Sequence, residues 1–189
     1  MRIAGGEFRG RTLAVPRGLD VRPTQDRVRE ALFSMILPAV SGANVLDLCA
    51  GSGAVGLEAL SRGAARSVFV EVAQKALSAL SSNIDALDCR ERATVVRADA
   101  WRWVASSASS GGHFGIVFAD PPYALWEEKG IAPMLEALAA EGRTVPGALF
   151  IAETLPETPV PGHPSWRLLR ERSYGRTRLL LWRLESALA

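Results

Sequence analysis

The sequence predicts an α/β domain on a mostly parallel sheet, and three observations predict it. Apolar runs of strand length alternate with segments of helical period between residues 44 and 153. A glycine-rich turn, Gly51-Ser52-Gly53-Ala54-Val55-Gly56, follows the apolar run 45–48 directly. Acidic residues mark the ends of four successive runs: Asp47, Glu71, Asp99 and Asp120. Strand–helix–strand alternation of this kind folds as right-handed βαβ units, which place all strand ends on one edge.

The elements follow in order. Residues 1–21 are expected to form a β-rich, partly extended arm, and the boundary falls at residue 23, with one domain over 24–189. A helix is expected over 25–37, with Thr24 as N-cap and Asp26 in its first turn. Its Val28, Ala31, Leu32, Met35 and Ile36 share a core-facing stripe, and Pro38 and Ser41-Gly42 stop it. Then come strand 44–48, helix 54–62, strand 67–71, helix 73–86, strand 93–97, short helix 99–106 and strand 115–119. Residues 106–113 read as a Ser/Gly loop. Helix 126–140 leads to strand 147–153 and a loop over 156–164, and the chain closes as a hairpin turning at Tyr174-Gly175.

A chain of 189 residues is about one domain. Cys49 and Cys89 are too few for a disulfide framework and read as core thiols of a reducing compartment. With only His113 and His163 besides, no metal site is expected. No apolar run reaches the roughly 18 residues of a membrane span, so a soluble, cytoplasmic protein is expected. The net charge is only +2, but every basic residue except Lys75 and Lys129 is arginine. Residues 1–29 concentrate Arg2, Arg9, Arg11, Arg17, Arg22, Arg27 and Arg29 against Glu7, Asp20 and Asp26. Guanidinium forks bind phosphates and stack on bases, so Arg2, Arg9, Arg11 and Arg22 are candidate nucleic-acid contacts. A coding bias toward arginine explains the residue choice but not the local excess of charge.

Two motifs carry chemistry. The turn from Gly51 has the form G-x-G-x-x-G, and its glycines let the backbone approach a ligand. A dinucleotide is the first rival for that loop, since Glu71 follows at a fitting distance. Asp47 argues against it, because a carboxylate just before the glycines crowds a pyrophosphate but can hold an amino-bearing ligand. Downstream, Asp120-Pro121-Pro122-Tyr123 ends the apolar run 116–119. The prolines fix φ and remove two donors, leaving carbonyls as acceptors in a turn that does not start a helix. Asp120 and a turn carbonyl can each accept a hydrogen of an exocyclic amine while Tyr123 stacks on the ring. In an open α/β sheet all these residues meet at the strands' carboxyl ends. There Glu71 can take two ribose hydroxyls and Asp99 an adenine amino group, beside Gly51, Ser52, Gly53 and Ala100.

The glycine loop together with Asp120-Pro121-Pro122-Tyr123 resembles an S-adenosylmethionine-dependent methyltransferase of nucleobase amines. The opening Met1-Arg2-Ile3-Ala4-Gly5-Gly6-Glu7-Phe8-Arg9-Gly10-Arg11, followed by Arg22-Pro23-Thr24-Gln25-Asp26-Arg27-Val28-Arg29-Glu30, is similar to the RsmD family, which methylates N2 of a guanine in 16S ribosomal RNA. The resemblance implies a Rossmann-like fold, a seven-stranded sheet whose last strand is inserted antiparallel, and a monomer. It also implies a 30S subunit or assembly-intermediate substrate. Asp120, Pro121 and Tyr123 are then catalytic, and Thr24, Asp47, Gly51, Ser52, Gly53, Glu71, Asp99 and Ala100 bind the cofactor. Where many relatives carry an aspartate after the strand-two acid, this chain has Val72-Ala73. A DNA adenine-N6 or cytosine-N4 methyltransferase shares the tetrapeptide but usually adds a target-recognition domain for which this chain has no room. A non-catalytic RNA-binding assembly factor predicts lost acids or glycines, and none is lost.

Overall fold

The computed structural model describes residues 1–16, 23–106, 113–140 and 143–185, with the side chains of 23–25 outside the description. Arg17, Arg22, the side chain of Thr24 and most of the 106–113 loop therefore lie outside the described residues. Seven strands form a single sheet: β1 (Asn44–Leu48), β2 (Arg66–Glu71), β3 (Ala93–Arg97), β4 (Phe114–Ala119), β5 (Thr144–Thr154), β6 (Trp166–Tyr174) and β7 (Thr177–Leu184). Their order is β3-β2-β1-β4-β5-β7-β6, with β7 antiparallel to both of its neighbours and the other pairs parallel. The antiparallel insertion of the final strand thus stands as expected. Strand order reverses between β1 and β4, which opens a crevice at their carboxyl ends.

Helices α1 (Pro23–Val40), α2 (Ala54–Ser61) and α3 (Gln74–Ala86) cover one face of the sheet, and α4 (Ala100–Ala105), α5 (Tyr123–Lys129) and α6 (Ala132–Ala139) the other. Each face buries its own apolar cluster: Leu32, Phe33, Leu57 and Phe69 on the first, Leu46, Trp126, Met134 and Phe150 on the second. Period-two alternation along β1, β2, β4 and β5 feeds both clusters, which is why these strands read as nearly continuous apolar runs.

Four expectations need correction. Helix α1 starts at Pro23, ahead of Thr24, and runs through Pro38 to Val40. Proline suits a first helical turn, and a missing donor at position 38 costs little where Leu37, Pro38 and Ala39 are exposed to water. The single helix expected over 126–140 is two helices. Gly130, at φ 70°, ends α5, and Pro133 helps to restart the chain as α6. The hairpin turns one residue later than expected, on Gly175-Arg176, with Gly175 at φ 62°.

The amino-terminal arm is the fourth. Instead of extended β structure, its described residues 1–16 have one isolated bridge, Arg2 to Thr12, within a compact loop. Ile3 donates to the Arg11 carbonyl and Leu13 to the Met1 carbonyl, both at 3.0 Å. Ile3 and Leu13 are buried in the α1–α3 cluster. Beneath them lies Glu58, fully buried, whose carboxylate accepts from Arg29 Nε at 2.6 Å, Arg62 Nη2 at 2.6 Å and the Ala4 amide at 3.3 Å. Arg29, counted among the arm's basic residues, is therefore a structural ion-pair partner.

Candidate active site

The carboxyl ends of β1 and β2 hold the glycine loop in place. Asp47 is buried within β1, and its Oδ2 accepts the Gly56 amide at 2.9 Å, which anchors the start of α2. Burial first of all, with nearby Glu71, raises its pKa to about 8 against the opposing Gly56 hydrogen bond. Asp47 thus acts as a buried anchor of the loop. Gly53 caps α2 at φ 80°, and a Cβ there would lie 2.3 Å from Leu80 Cδ1, so only glycine fits. Ser52 is buried, and its carbonyl accepts from Asn83 Nδ2 at 2.9 Å.

Asn83, on α3, also donates to the Ala14 carbonyl at 3.0 Å and accepts the Ala14 amide at 2.7 Å. One amide side chain therefore ties the arm to the glycine loop. In sequence Asn83 is only a polar residue on a helix face that is otherwise apolar.

Glu71 ends β2. Its Oε2 accepts the Gly51 amide at 2.8 Å, and its Oε1 accepts Val72 N at 2.8 Å and Ala73 N at 2.7 Å. A carboxylate offers about four acceptor directions, and backbone donors already use three of them. The two-hydroxyl role expected for Glu71 is thereby narrowed to one free direction, on Oε2. Asp99 is the N-cap of α4: Oδ1 accepts Arg102 N at 3.0 Å, and Oδ2 pairs with Lys129 Nζ at 2.9 Å. Burial works to raise its pKa, but the Arg102 amide and Lys129 outweigh it and the net shift is downward. Lys129 also lies 4.9 Å from the centroid of the Trp101 ring.

Between these groups lies a cleft of about 260 Å³, open space included, lined in part by Cys49, Glu71, Val72, Asp99, Ala100 and Trp101. Cys89 is buried as expected, and Cys49 is partly buried at φ 59°, where it packs against the α4–α6 cluster and also lines the cleft. Burial and the carboxylates of Glu71, Asp120, Asp47 and Asp99 push the Cys49 thiol up to about 12, which keeps it protonated and unreactive.

The ends of β4 and β5 differ. Asp120 follows Ala119, and its amide donates to the Leu48 carbonyl at 3.4 Å across the switch point. Burial, then Glu153 and Asp47, raise its pKa well above the usual carboxylate range. Pro121 is buried and Pro122 exposed. Contrary to expectation, the turn does start a helix: α5 begins at Tyr123, and the Pro122 carbonyl accepts Leu125 N at 2.8 Å. Proline lacks only a donor, so its carbonyl can still take the first helical bond. Tyr123 is half-buried beside the α4–α6 cluster.

Glu153 was missed. It stands at the end of β5, one step past Ala152, the register partner of Ala119. The series of strand-end acids read from the sequence stopped at the fourth strand, and extending it by one strand reaches Glu153.

Of the candidate nucleic-acid contacts, Arg2, Arg9 and Arg11 are exposed on the arm, although Arg11 also donates to the Ala86 carbonyl. No helix among the described residues is long and apolar enough to cross a membrane.

A family model described as Conserved hypothetical protein 95 matches residues 1–183. Ribosomal RNA small subunit methyltransferase D of Escherichia coli K12 is 38% identical over 189 residues, which cover 98% of this chain and 91% of that protein. The Haemophilus influenzae protein of the same name is 34% identical over 177 residues, covering 93% and 89%. Among solved structures, the yhhF protein of Escherichia coli superposes with a TM-score of 0.85 at 38% identity, covering 98% of each chain. A match of this extent, over a seven-stranded sheet with the expected antiparallel last strand and strand-end acids, places the chain in the RsmD family of methyltransferases.

Proposed function

We propose that the protein transfers a methyl group from S-adenosylmethionine to the exocyclic N2 of a guanine in 16S ribosomal RNA. The observation that carries this reading is the juxtaposition of two sites across the switch point. On one side is a largely apolar cleft bordered by the carboxylates of Glu71 and Asp99, and on the other the partly buried Asp120 at the head of a rigid Pro-Pro turn.

The residues around the cleft fit an adenosine-bearing cofactor. The glycine loop brings bare backbone up to it, Glu71 keeps an acceptor direction for a ribose hydroxyl, and Asp99 and Ala100 border the far wall. When bound, S-adenosylmethionine supplies a sulfonium-linked methyl group, which the amine takes in one displacement as the S–C bond breaks and the N–C bond forms. Asp120 accepts one amine hydrogen and a carbonyl of the 120–121 segment the other, holding the nitrogen lone pair toward the cleft. The amine lone pair of guanine is delocalised into its ring, so acceptors that favour a pyramidal nitrogen act mainly in the transition state. The proton leaves N2 after transfer, when that nitrogen is acidic. Tyr123 stacks on the base once it is unstacked from the RNA.

Residues 1–23 serve as the RNA-contacting arm, through the exposed Arg2 and Arg9 and through Arg11 and Arg22. The substrate is the 30S subunit or an assembly intermediate, and the enzyme works as a cytoplasmic monomer. Deleting the arm is a poor test, since Ile3 and Leu13 belong to the core and Ala14 to the Asn83 clamp. Arg2→Ala and Arg9→Ala instead should each lower the salt slope of RNA binding by about 1.

The decisive experiment maps N2-methylguanine in small-subunit RNA from a strain lacking the gene and from the complemented strain. Loss and return of one such mark is the expected result. An unchanged methylation map, or calorimetry showing that the protein binds a dinucleotide but neither S-adenosylmethionine nor its demethylated product, overturns the reading.

A further inference from the structure

Glu153 has no part in the chemistry described so far, yet the fold sets it beside the reacting group. Ala119 of β4 and Ala152 of β5 are register partners on parallel strands, so Asp120 and Glu153 each stand one residue beyond the same rung. Neighbouring strands lie about 4.8 Å apart, and residues at the same rung project to the same face. Ile151, two residues earlier on β5, belongs to the α1–α3 cluster, so Glu153 projects to that side.

Two further contacts fix its place. Trp126 Nε1 donates to the Glu153 carbonyl at 2.8 Å, which ties Glu153 to α5, the helix that the Pro-Pro turn begins. On its other side Glu153 pairs with Leu179 of β7. The Asp120 turn and Glu153 are thus braced as one unit, with two carboxyl groups at adjacent positions. Burial raises Glu153 to about 7 against a hydrogen bond from the Thr177 side chain, and Glu153 in turn raises Asp120.

Two adjacent acceptors suit one nucleobase edge. Guanine carries a ring N–H, at N1, next to its exocyclic amine. Adenine and cytosine carry a lone pair at the ring nitrogen next to theirs. We propose that Glu153 is the specificity-determining residue of the site: its carboxylate accepts the N1–H of guanine while Asp120 accepts from the N2 amine. The inference rests on the guanine-N2 reading and deepens it. Adenine or cytosine in the same pose would aim a lone pair at the Glu153 carboxylate, and a site built to bond a donor strongly rejects a base that lacks one.

The test uses 2-aminopurine, which keeps the 2-amino group but presents a bare N1. Small-subunit RNA made by splinted ligation carries either guanine or 2-aminopurine at the mapped position, is assembled into 30S particles, and is assayed at pH 8, where Glu153 is ionised. Wild-type protein should prefer guanine by about 100-fold or more in kcat/KM. In Glu153→Gln the amide can donate to the bare N1, so the guanine to 2-aminopurine ratio should fall at least tenfold, with S-adenosylmethionine affinity unchanged and no loss of thermal stability. Glu153→Ala should bring the ratio toward unity.

Wild-type protein that methylates both bases equally overturns the inference without recourse to any variant. So does a Glu153→Gln protein, folded and cofactor-binding, that keeps the wild-type ratio. Wild-type protein that transfers nothing to the guanine-bearing particle overturns the function reading, and the inference falls with it.

Discussion

The two halves of the strand-end crescent use the same side-chain chemistry to opposite ends. On the β1–β3 half, Asp47, Glu71 and Asp99 are held by the protein itself: by the Gly56 amide, by three backbone amides, and by a helix amide with a lysine. They fix the loops that, in the proposed reading, bring backbone to the cofactor. On the β4–β5 half, Asp120 and Glu153 sit close together, burial raises both, and Glu153 raises Asp120 further. A carboxylate engaged by internal donors is spent on structure, whereas two crowded acceptors favour donors brought from outside. The difference divides the crescent into a scaffold half and a reactive half.

Asp120→Ala tests that division most severely. Transfer should fall by about 10³-fold or more, roughly 4 kcal/mol of activation free energy, while cofactor affinity and the thermal midpoint stay near wild type. Single-turnover methylation of 30S particles with cofactor occupancy measured separately is the assay. Near-normal transfer by a folded variant would make the Pro-Pro turn merely structural and erase the contrast. On the same half, Tyr123→Ala should lose about tenfold or more, in line with one lost stacking contact, and Tyr123→Phe far less.

Glu71→Ala probes the scaffold half and should invert the pattern. It strands the Gly51, Val72 and Ala73 amides, so cofactor affinity should drop by about 1–3 kcal/mol while turnover at saturating cofactor largely persists. Calorimetry for affinity and saturation kinetics for turnover separate the two effects. A turnover loss as deep as that of Asp120→Ala would move Glu71 to the reactive half.

How much of this could be read beforehand follows the range of the forces involved. Strands and most helices are local, period-driven features, and β1 to β4 lie within a residue of their expected bounds. The strand-end acids were legible because parallel topology carries every strand end to one edge. What escaped depends on tertiary partners. Asn83 looks like any polar helix residue until Ala14 and Ser52 arrive on either side of it. Arg29 belongs to a basic run in sequence but to Glu58 in space. Glu71 and Asp99 were found as site residues, but their engagement by backbone amides and Lys129 depends on how the chain turns after each strand. The break at Gly130 was local and legible, since a glycine followed by Pro133 is a stop and restart signal that the apolar period over 126–140 outweighed.

The smallest expected effect is on stability, and it should carry opposite signs on the two halves. Asp99 has a lowered folded-state pKa, so its contribution is present above the unfolded value near 3.8 and is lost as pH falls through the folded value. Asp99→Asn keeps an N-cap but loses the charge pairing with Lys129, a partly exposed pair, so it should cost about 0.5–1 kcal/mol at pH 7 and almost nothing in strong acid. Glu153 has a raised pKa, so its contribution is full below about 4.5 and is lost as pH rises through about 7. Glu153→Gln, which mimics the protonated form, should therefore match wild type at pH 4 and exceed it by about 1–2 kcal/mol at pH 8. Asp120, which Glu153 raises, adds to that gain, because removing the Glu153 charge relieves it. Urea midpoints of both variants across pH 4 to 8 give the comparison directly. The Asp99→Asn deficit should widen with rising pH as the Glu153→Gln advantage grows. Stability differences of the same sign in the two variants would mean that both halves of the crescent hold their carboxylates alike.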